Sequence, residues 1–287
     1  MKHNTNSGVL SAIFAAFFMG TMGIFSRKSG LDAEVVTFFR LFFGAIFLTI
    51  FLMASGKKGT IASTPSWLVV INGFMLAGLI VFYTLAMEYT TLANAVMILY
   101  LAPLVASIFA HFFLKEKLGL TGVLLIGTAL LGFGMMMEFN IDFATSDGQL
   151  IGLGFGLLSM FCYTGFIIIN RITSDDIHIY TRSFYQMLVG AACLLPILLF
   201  HIPTISSTQW VWLVGAGFFP GFLGILLAVT AIKYLSTATF CTLSYLEPIS
   251  VVIYGWILFN EPLSALQFSG CGLIVASSVI KAWLARE

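Results

Sequence analysis

The sequence predicts an all-α membrane protein: ten transmembrane helices arranged as two inverted five-helix repeats (5+5), with both termini cytoplasmic. Three observations predict it. The chain of 287 residues is 60% hydrophobic and 9% charged, where soluble domains carry roughly 25% charged residues. No soluble core could take in so much apolar surface. The chain also repeats itself at a shift of 145 residues, and its Lys and Arg residues fall unevenly among the links between apolar segments.

The repeat is clearest between residues 89–116, YTTLANAVMILYLAPLVASIFAHFFLKE, and residues 234–261, YLSTATFCTLSYLEPISVVIYGWILFNE. Without a gap, Tyr89, Ala93, Tyr100, Leu101, Pro103, Ile108 and Glu116 meet the same residue types in the second stretch, ending on Glu261. Trp67 meets Trp212 and Gly127 meets Gly272 at the same shift. Thr37, Arg40 and Gly44 meet Ser183, Gln186 and Gly190 at a shift of 146. An internal repeat decides the architecture, and the halves divide into residues 1–140 and 141–287.

Crossing the hydrocarbon takes roughly 20 apolar residues, and segments at about 9–25, 35–54, 67–87, 91–114, 118–137, 150–169, 179–200, 210–232, 237–259 and 265–284 qualify. The run from Val9 to Phe25 is too long for a cleaved leader and no small-x-small site precedes Arg27 and Lys28, so it reads as a helix that stays attached. The links are short; the longest, 57–66 and 138–149, hold turn residues.

With the first residue in the cytoplasm, the inner links hold Lys2, Lys57, Lys58, Lys115, Lys117, Arg171, Arg182, Lys233, Lys281 and Arg286, and the outer ones only Arg27 and Lys28. Positive charge marks the cytoplasmic side. Five helices per repeat is odd, so the second repeat inserts upside down, a plan that places a substrate site near the midplane between repeats.

The residues from Arg40 to Ala45 (RLFFGA), from Ala86 to Glu116 (AMEYTTLANAVMILYLAP through KE) and from Ala231 to Ser264 (AIKYLSTATFCTLSYLEP through NEPLS) resemble an EamA-type transporter of the drug/metabolite transporter superfamily. The resemblance covers nearly the whole chain. It implies ten helices, a central cavity and transport of small metabolites, often outward, from a multi-pass position in the cell inner (plasma) membrane. It says little about which substrate is carried.

A charge inside the bilayer costs about 2.5–3.5 kcal/mol on insertion scales, so embedded charges are functional candidates. Glu247 lies in the middle of the ninth segment, before Pro248, where it could bind a substrate ammonium or carry a proton. The plainer role is structural, holding the interrupted backbone or pairing with Arg40, and the family pattern of Glu-Pro across members with many substrates favours it. Arg40, in the second segment, reads as a structural charge tethering helices, with a substrate carboxylate as the alternative. Pro103 and Pro248 sit at matching depths as kinks or hinges, and Pro220 in GFFPG adds a third break. Polar and aromatic groups are the usual lining of small-molecule pockets. The cavity candidates are therefore Asn72, Tyr83, Asn94, Tyr100, Tyr163, Thr242, Tyr245 and Glu247. The Gly-rich stretches 148–156 and 217–221 have spacings that bring helices close, within one chain or between two.

A small-molecule substrate and the lipid bilayer are the expected partners, the chain acting as a monomer or homodimer. A net charge of +1 makes no case for nucleic acid. No nucleotide motif, cofactor box or metal-ligand spacing is present. An intramembrane lipid-modifying enzyme would need acids, histidines or cysteines gathered at one depth, and His3, His111, His178 and His201 are scattered. The main reading is a secondary transporter of a small polar metabolite such as an amino acid or amine. A flippase for lipid or lipid-linked sugar on the same fold is the alternative.

Overall fold

The computed structural model describes residues 2–60, 64–140, 147–200 and 204–285. His201 and Arg286 lie outside them, as do the side chains of Lys2, His3 and Lys58. The described residues form helices and no strand. In order they are α1 (Lys2–Gly20), α2 (Met22–Ser29), α3 (Ala33–Ala54), a 3₁₀ turn (Lys58–Thr60), α4 (Trp67–Tyr89), α5 (Leu92–Leu99), α6 (Ala102–Phe113), α7 (Leu120–Met136) and α8 (Asp147–Ile172). There follow α9 (Ile179–Phe200), α10 (Ser207–Ala216), a π-helical segment (Gly217–Gly224), α11 (Ile225–Tyr234), α12 (Thr237–Ser244), α13 (Leu246–Phe259) and α14 (Ala265–Leu284).

Among the described residues, nine helical stretches are long and apolar enough to cross a membrane. The tenth predicted span is α7, apolar but only 17 residues long. At 1.5 Å per residue it reaches about 25 Å, slightly less than the hydrocarbon core. It ends where Glu138 and Phe139 take positive φ angles of 54° and 48° and turn the chain.

Four spans are interrupted, and three of the breaks follow from proline. A proline in a helix leaves the carbonyl four residues earlier without its donor. Pro103 does this to Leu99, the last residue of α5; Pro248 does it to Ser244, the last of α12; Pro220 does it to Ala216, the last of α10. After Ala216 the backbone widens into the π-helical segment, a common accommodation of one misfit residue. The fourth break, at Thr21, has a different cause: its hydroxyl donates to the Phe18 carbonyl, between α1 and α2.

Packing pairs the spans across the two halves. α4 lies on α8 and α9, α1 on α11 and α13, α3 on α9 and the π segment, and α7 on α14. Small residues set the closest approaches, as lipid-embedded helices require. Gly221 lies against the Arg40 carbonyl, Gly217 against Phe43, and Gly152 against the backbone at Tyr89 and Thr90, so these glycine spacings serve contacts inside one chain. The outer surface carries Phe112, Phe113, Leu120 and Phe268, each about 70% exposed or more, a lipid-facing composition.

The helix ends sort onto two faces. One holds Glu116, Arg171, Lys233 and the start of α12. The start of α1 meets this face, since Gly8 packs on Tyr234 and Leu235, and so does the end of α14, where Lys281 lies by Gly122. The opposite face holds Arg27, Glu261 and the start of α10, where Gln209 donates to the Ser29 carbonyl at 2.9 Å.

Candidate substrate cavity

The two charges singled out from the sequence both lie at inner positions of their spans. Arg40 lies two turns into α3 and is half-buried. Its Nη2 points to the Met19 sulfur at 2.8 Å, and its buried Nε has no hydrogen-bond partner. Glu247 is the second residue of α13 and is also half-buried. The break at Tyr245 makes a helix N-terminus in mid-bundle, whose partial positive charge stabilises a carboxylate in the first turn. Among the described residues, no hydrogen bond or ion pair reaches the Glu247 carboxylate. It therefore neither ties down the broken backbone nor pairs directly with Arg40. Arg40 reaches Met19 and the Glu247 backbone lies against the adjacent Gly20, so both charges approach α1 at one level.

The breaks of the two halves meet each other. Tyr245, fully buried between α12 and α13, donates its hydroxyl to the Tyr100 carbonyl at 2.7 Å. That carbonyl lies at the α5–α6 break, where the helical ladder is interrupted. The two rings are 6.2 Å apart, and Tyr100 packs on Phe133 at 4.5 Å. The Ser244 hydroxyl, one residue before Tyr245, donates to the Cys241 carbonyl at 2.9 Å. Tyr83, Tyr100, Tyr163, Arg40 and Glu247 are all half-buried. Together they form one polar, aromatic-lined region at the level of the breaks.

Three cavity candidates are placed elsewhere. Asn72 is fully buried at the junction of α4, α8 and α9 and donates to the Phe166 carbonyl at 3.3 Å. Asn94 sits in the first turn of α5, its amide donating to Thr90 Oγ1 at 2.9 Å. Thr242 is fully buried and donates back to Ala238 at 2.9 Å. Pro103 and Pro248 stand in the first turns after matching breaks, and Pro220 stands inside the π segment.

Sequence reading missed Arg182. It looked like a loop cation but is 1% exposed, its guanidinium donating to the carbonyl of Asn170 in the last turn of α8 and to those of Thr173, Ser174 and Ile177 just beyond it. Beside it Gln186 donates to Asn170 Oδ1 at 2.8 Å and Asn170 to the Phe166 carbonyl at 3.1 Å. The only signal in the sequence was the position of Arg182 inside the first turn of an apolar segment. At the same face, partial burial and the Lys233, Lys57 and Arg182 cations push the His178 imidazole below its ordinary pKa. Neutral there, its Nδ1 accepts the Tyr180 N–H at 3.2 Å.

The profile of the EamA-like transporter family matches residues 6–137 and again 150–282. The chain belongs to that family. EamA membership, with relatives named as transporters, makes it a multi-pass membrane transporter of the drug/metabolite transporter superfamily and not an enzyme. An uncharacterized transporter of Archaeoglobus fulgidus is 28% identical over 96% of each chain. The pseudopaline exporter CntI of Pseudomonas aeruginosa is 24% identical over 95% of each chain. A solved crystal structure superposes with a TM-score of 0.86 at 19% identity, covering 98% of this chain and 99% of that one; at that identity it bears on the fold alone.

Proposed function

We propose that this EamA transporter is a secondary carrier, working outward, of a small polar metabolite such as an amino acid or amine. The observation that carries the reading is the pair of unneutralised charges, Arg40 and Glu247, bordering one aromatic-lined region at mid-bundle. Charges so deep persist only with a partner or a function, and neither has an ion-pair partner among the described residues. A zwitterion would turn its ammonium to Glu247 and its carboxylate to Arg40. The tyrosines would supply hydrogen bonds and ring faces that favour cations. Asn72, Asn94 and Thr242 contribute by packing and capping.

The carrier works by alternating access between two inverted repeats, residues 1–140 and 141–287. Support comes from the pairing of spans: exchanging each span for its repeat counterpart turns the α1–α11 contact into the α8–α4 contact and leaves α3–α9 and α7–α14 in place. The start of α1 and the end of α14 share the Glu116 face with most of the described cations, and the positive-charge bias supports the cytoplasm for that face, in an inner (plasma) membrane. Pro103, Pro248 and Pro220 then mark where spans bend. Glu247 is also the simplest place for a coupling proton.

The test is transport of labelled amino acids and amines by the purified protein in liposomes, at two pH values, with Glu247→Gln beside the wild type. The reading expects loss of transport, or loss of its pH dependence, in the variant. Unchanged rate and unchanged pH dependence would remove Glu247 from the mechanism.

A further inference from the structure

Glu116 and Glu261 are the same residue of the two matched halves, yet they are bonded differently. Glu116 follows α6. Its Oε2 accepts the N–H of Thr237, the first residue of α12, at 2.8 Å, and its Oε1 takes Arg171 Nε. The Ser236 hydroxyl accepts the Thr239 N–H at 3.3 Å. Between them, carboxylate and hydroxyl satisfy donors that a helix start leaves open, and the negative charge suits that end of the helix. The carboxylate thus ties α6 of the first half to α12 of the second. Its side chain is 18% exposed.

Glu261 follows α13 on the opposite face. It pairs with Arg27, both side chains about half exposed, and among the described residues no hydrogen bond joins its carboxylate to a helix start. The helix that corresponds to α12 is α5, and its first turn is prepared in the same way: the Thr91 hydroxyl accepts the Asn94 N–H at 3.2 Å. No described side chain accepts the Leu92 N–H, and Leu92 is 59% exposed. The device is therefore assembled on one face and taken apart on the other.

We infer that Glu116 and Glu261 are alternating latches. Glu116 on the Thr237 N–H holds its face shut in this conformation. When the other face shuts, Glu261 takes the Leu92 N–H with its second oxygen while Arg27 stays on the first, as Glu116 holds Thr237 and Arg171 here, and Glu116 releases α12. This deepens the alternating-access reading above and rests on it. The glutamates position helices and need no contact with substrate.

The test uses single cysteines, Leu92→Cys or Thr237→Cys, in a chain whose four native cysteines (Cys162, Cys193, Cys241 and Cys271) are replaced by serine. A membrane-impermeant thiol reagent is applied from each side of reconstituted vesicles. Losing one charge-assisted hydrogen bond shifts a two-state population about tenfold. Glu116→Gln should raise labelling at position 237 by about that factor and lower it at 92. Glu261→Gln should do the reverse, and its exposed position leaves the fold intact if Glu116→Gln proves unstable. Labelling at both positions that ignores Glu261→Gln, or moves in one direction at both, overturns the latch. Transport by the same wild-type vesicles separates the two readings. Active transport with labelling indifferent to Glu261→Gln removes the latch alone. Shifted labelling without transport of any amino acid or amine removes the carrier reading and keeps the latch.

Discussion

α5 and α12 are matching eight-residue helices of the two halves, and their surroundings differ. Every residue of α12 is buried, whereas α5 is buried only at Asn94 and Ala95. α12 packs on α6, α1, α14 and α7; α5 packs on α8 and α4, with no extensive contact to α13, its symmetry-related partner. Composition accounts for part of this: α5 (LANAVMIL) is apolar apart from Asn94, whereas α12 (TATFCTLS) carries Thr237, Thr239, Thr242 and Ser244, hydroxyl residues that favour a protein surrounding over lipid. The bonding at the two faces differs as well: Glu116 holds both the Thr237 N–H and Arg171, whereas Glu261 holds Arg27 alone among the described side chains.

The comparison can be sharpened by treating the two faces alike. The largest difference is expected between two arginines. Arg182→Ala strips four carbonyls of a buried cation and should cost about 3 kcal/mol or more, read as a fall in the denaturation midpoint in detergent. Arg27→Ala removes an exposed ion pair and should cost below about 1 kcal/mol. Equal losses would mean that the two faces are equally packed.

A smaller contrast is expected between matched apolar residues. Leu243 in α12 is 1% exposed, and its counterpart Ile98 in α5 is half-buried, resting on Gly156. Leu243→Ala should cost about 2–4 kcal/mol and Ile98→Ala about half as much, by the same denaturation measurement. The smallest contrast is between the tyrosines. Tyr245→Phe loses its bond to the Tyr100 carbonyl, about 1 kcal/mol. The Tyr100 hydroxyl has no corresponding bond, so Tyr100→Phe should leave stability nearly unchanged. A reversed order would place the bond between the two breaks wrongly.

Much of the architecture was legible in residue types. The 145-residue repeat located the two matched breaks, at Pro103 and Pro248, where the ring leaves a carbonyl four residues upstream without its donor; Pro196, inside the continuous α9, shows that a proline alone does not fix a break. Length and apolarity located the spans, α7 falling short because Gly119 and the turn at Glu138 bound it. The mid-bundle charges stood out because charge is costly there. The rest was hidden for physical reasons. In a membrane protein both the lipid face and the interior are apolar, so Asn72 and Thr242 carried no sign of which helix they pack on. Arg182 looked like any link cation, since its four acceptors are backbone carbonyls. The break at Thr21 rests on one side-chain bond. The inequality of α5 and α12 left only a faint trace, in the hydroxyl residues Thr237, Thr239, Thr242 and Ser244 that α5 lacks.

The most direct test of the central claim is thermal stability of the purified protein with a panel of free amino acids, each beside its decarboxylated amine and its deaminated acid. A ligand that binds only the folded protein raises the midpoint by mass action. The account predicts stabilisation by compounds carrying both charges, reduced for the amine in the wild type and for the amino acid in Arg40→Gln, and abolished in Glu247→Gln. Stabilisation by lipid or lipid-linked sugar alone, indifferent to both substitutions, would contradict it and make the protein a flippase.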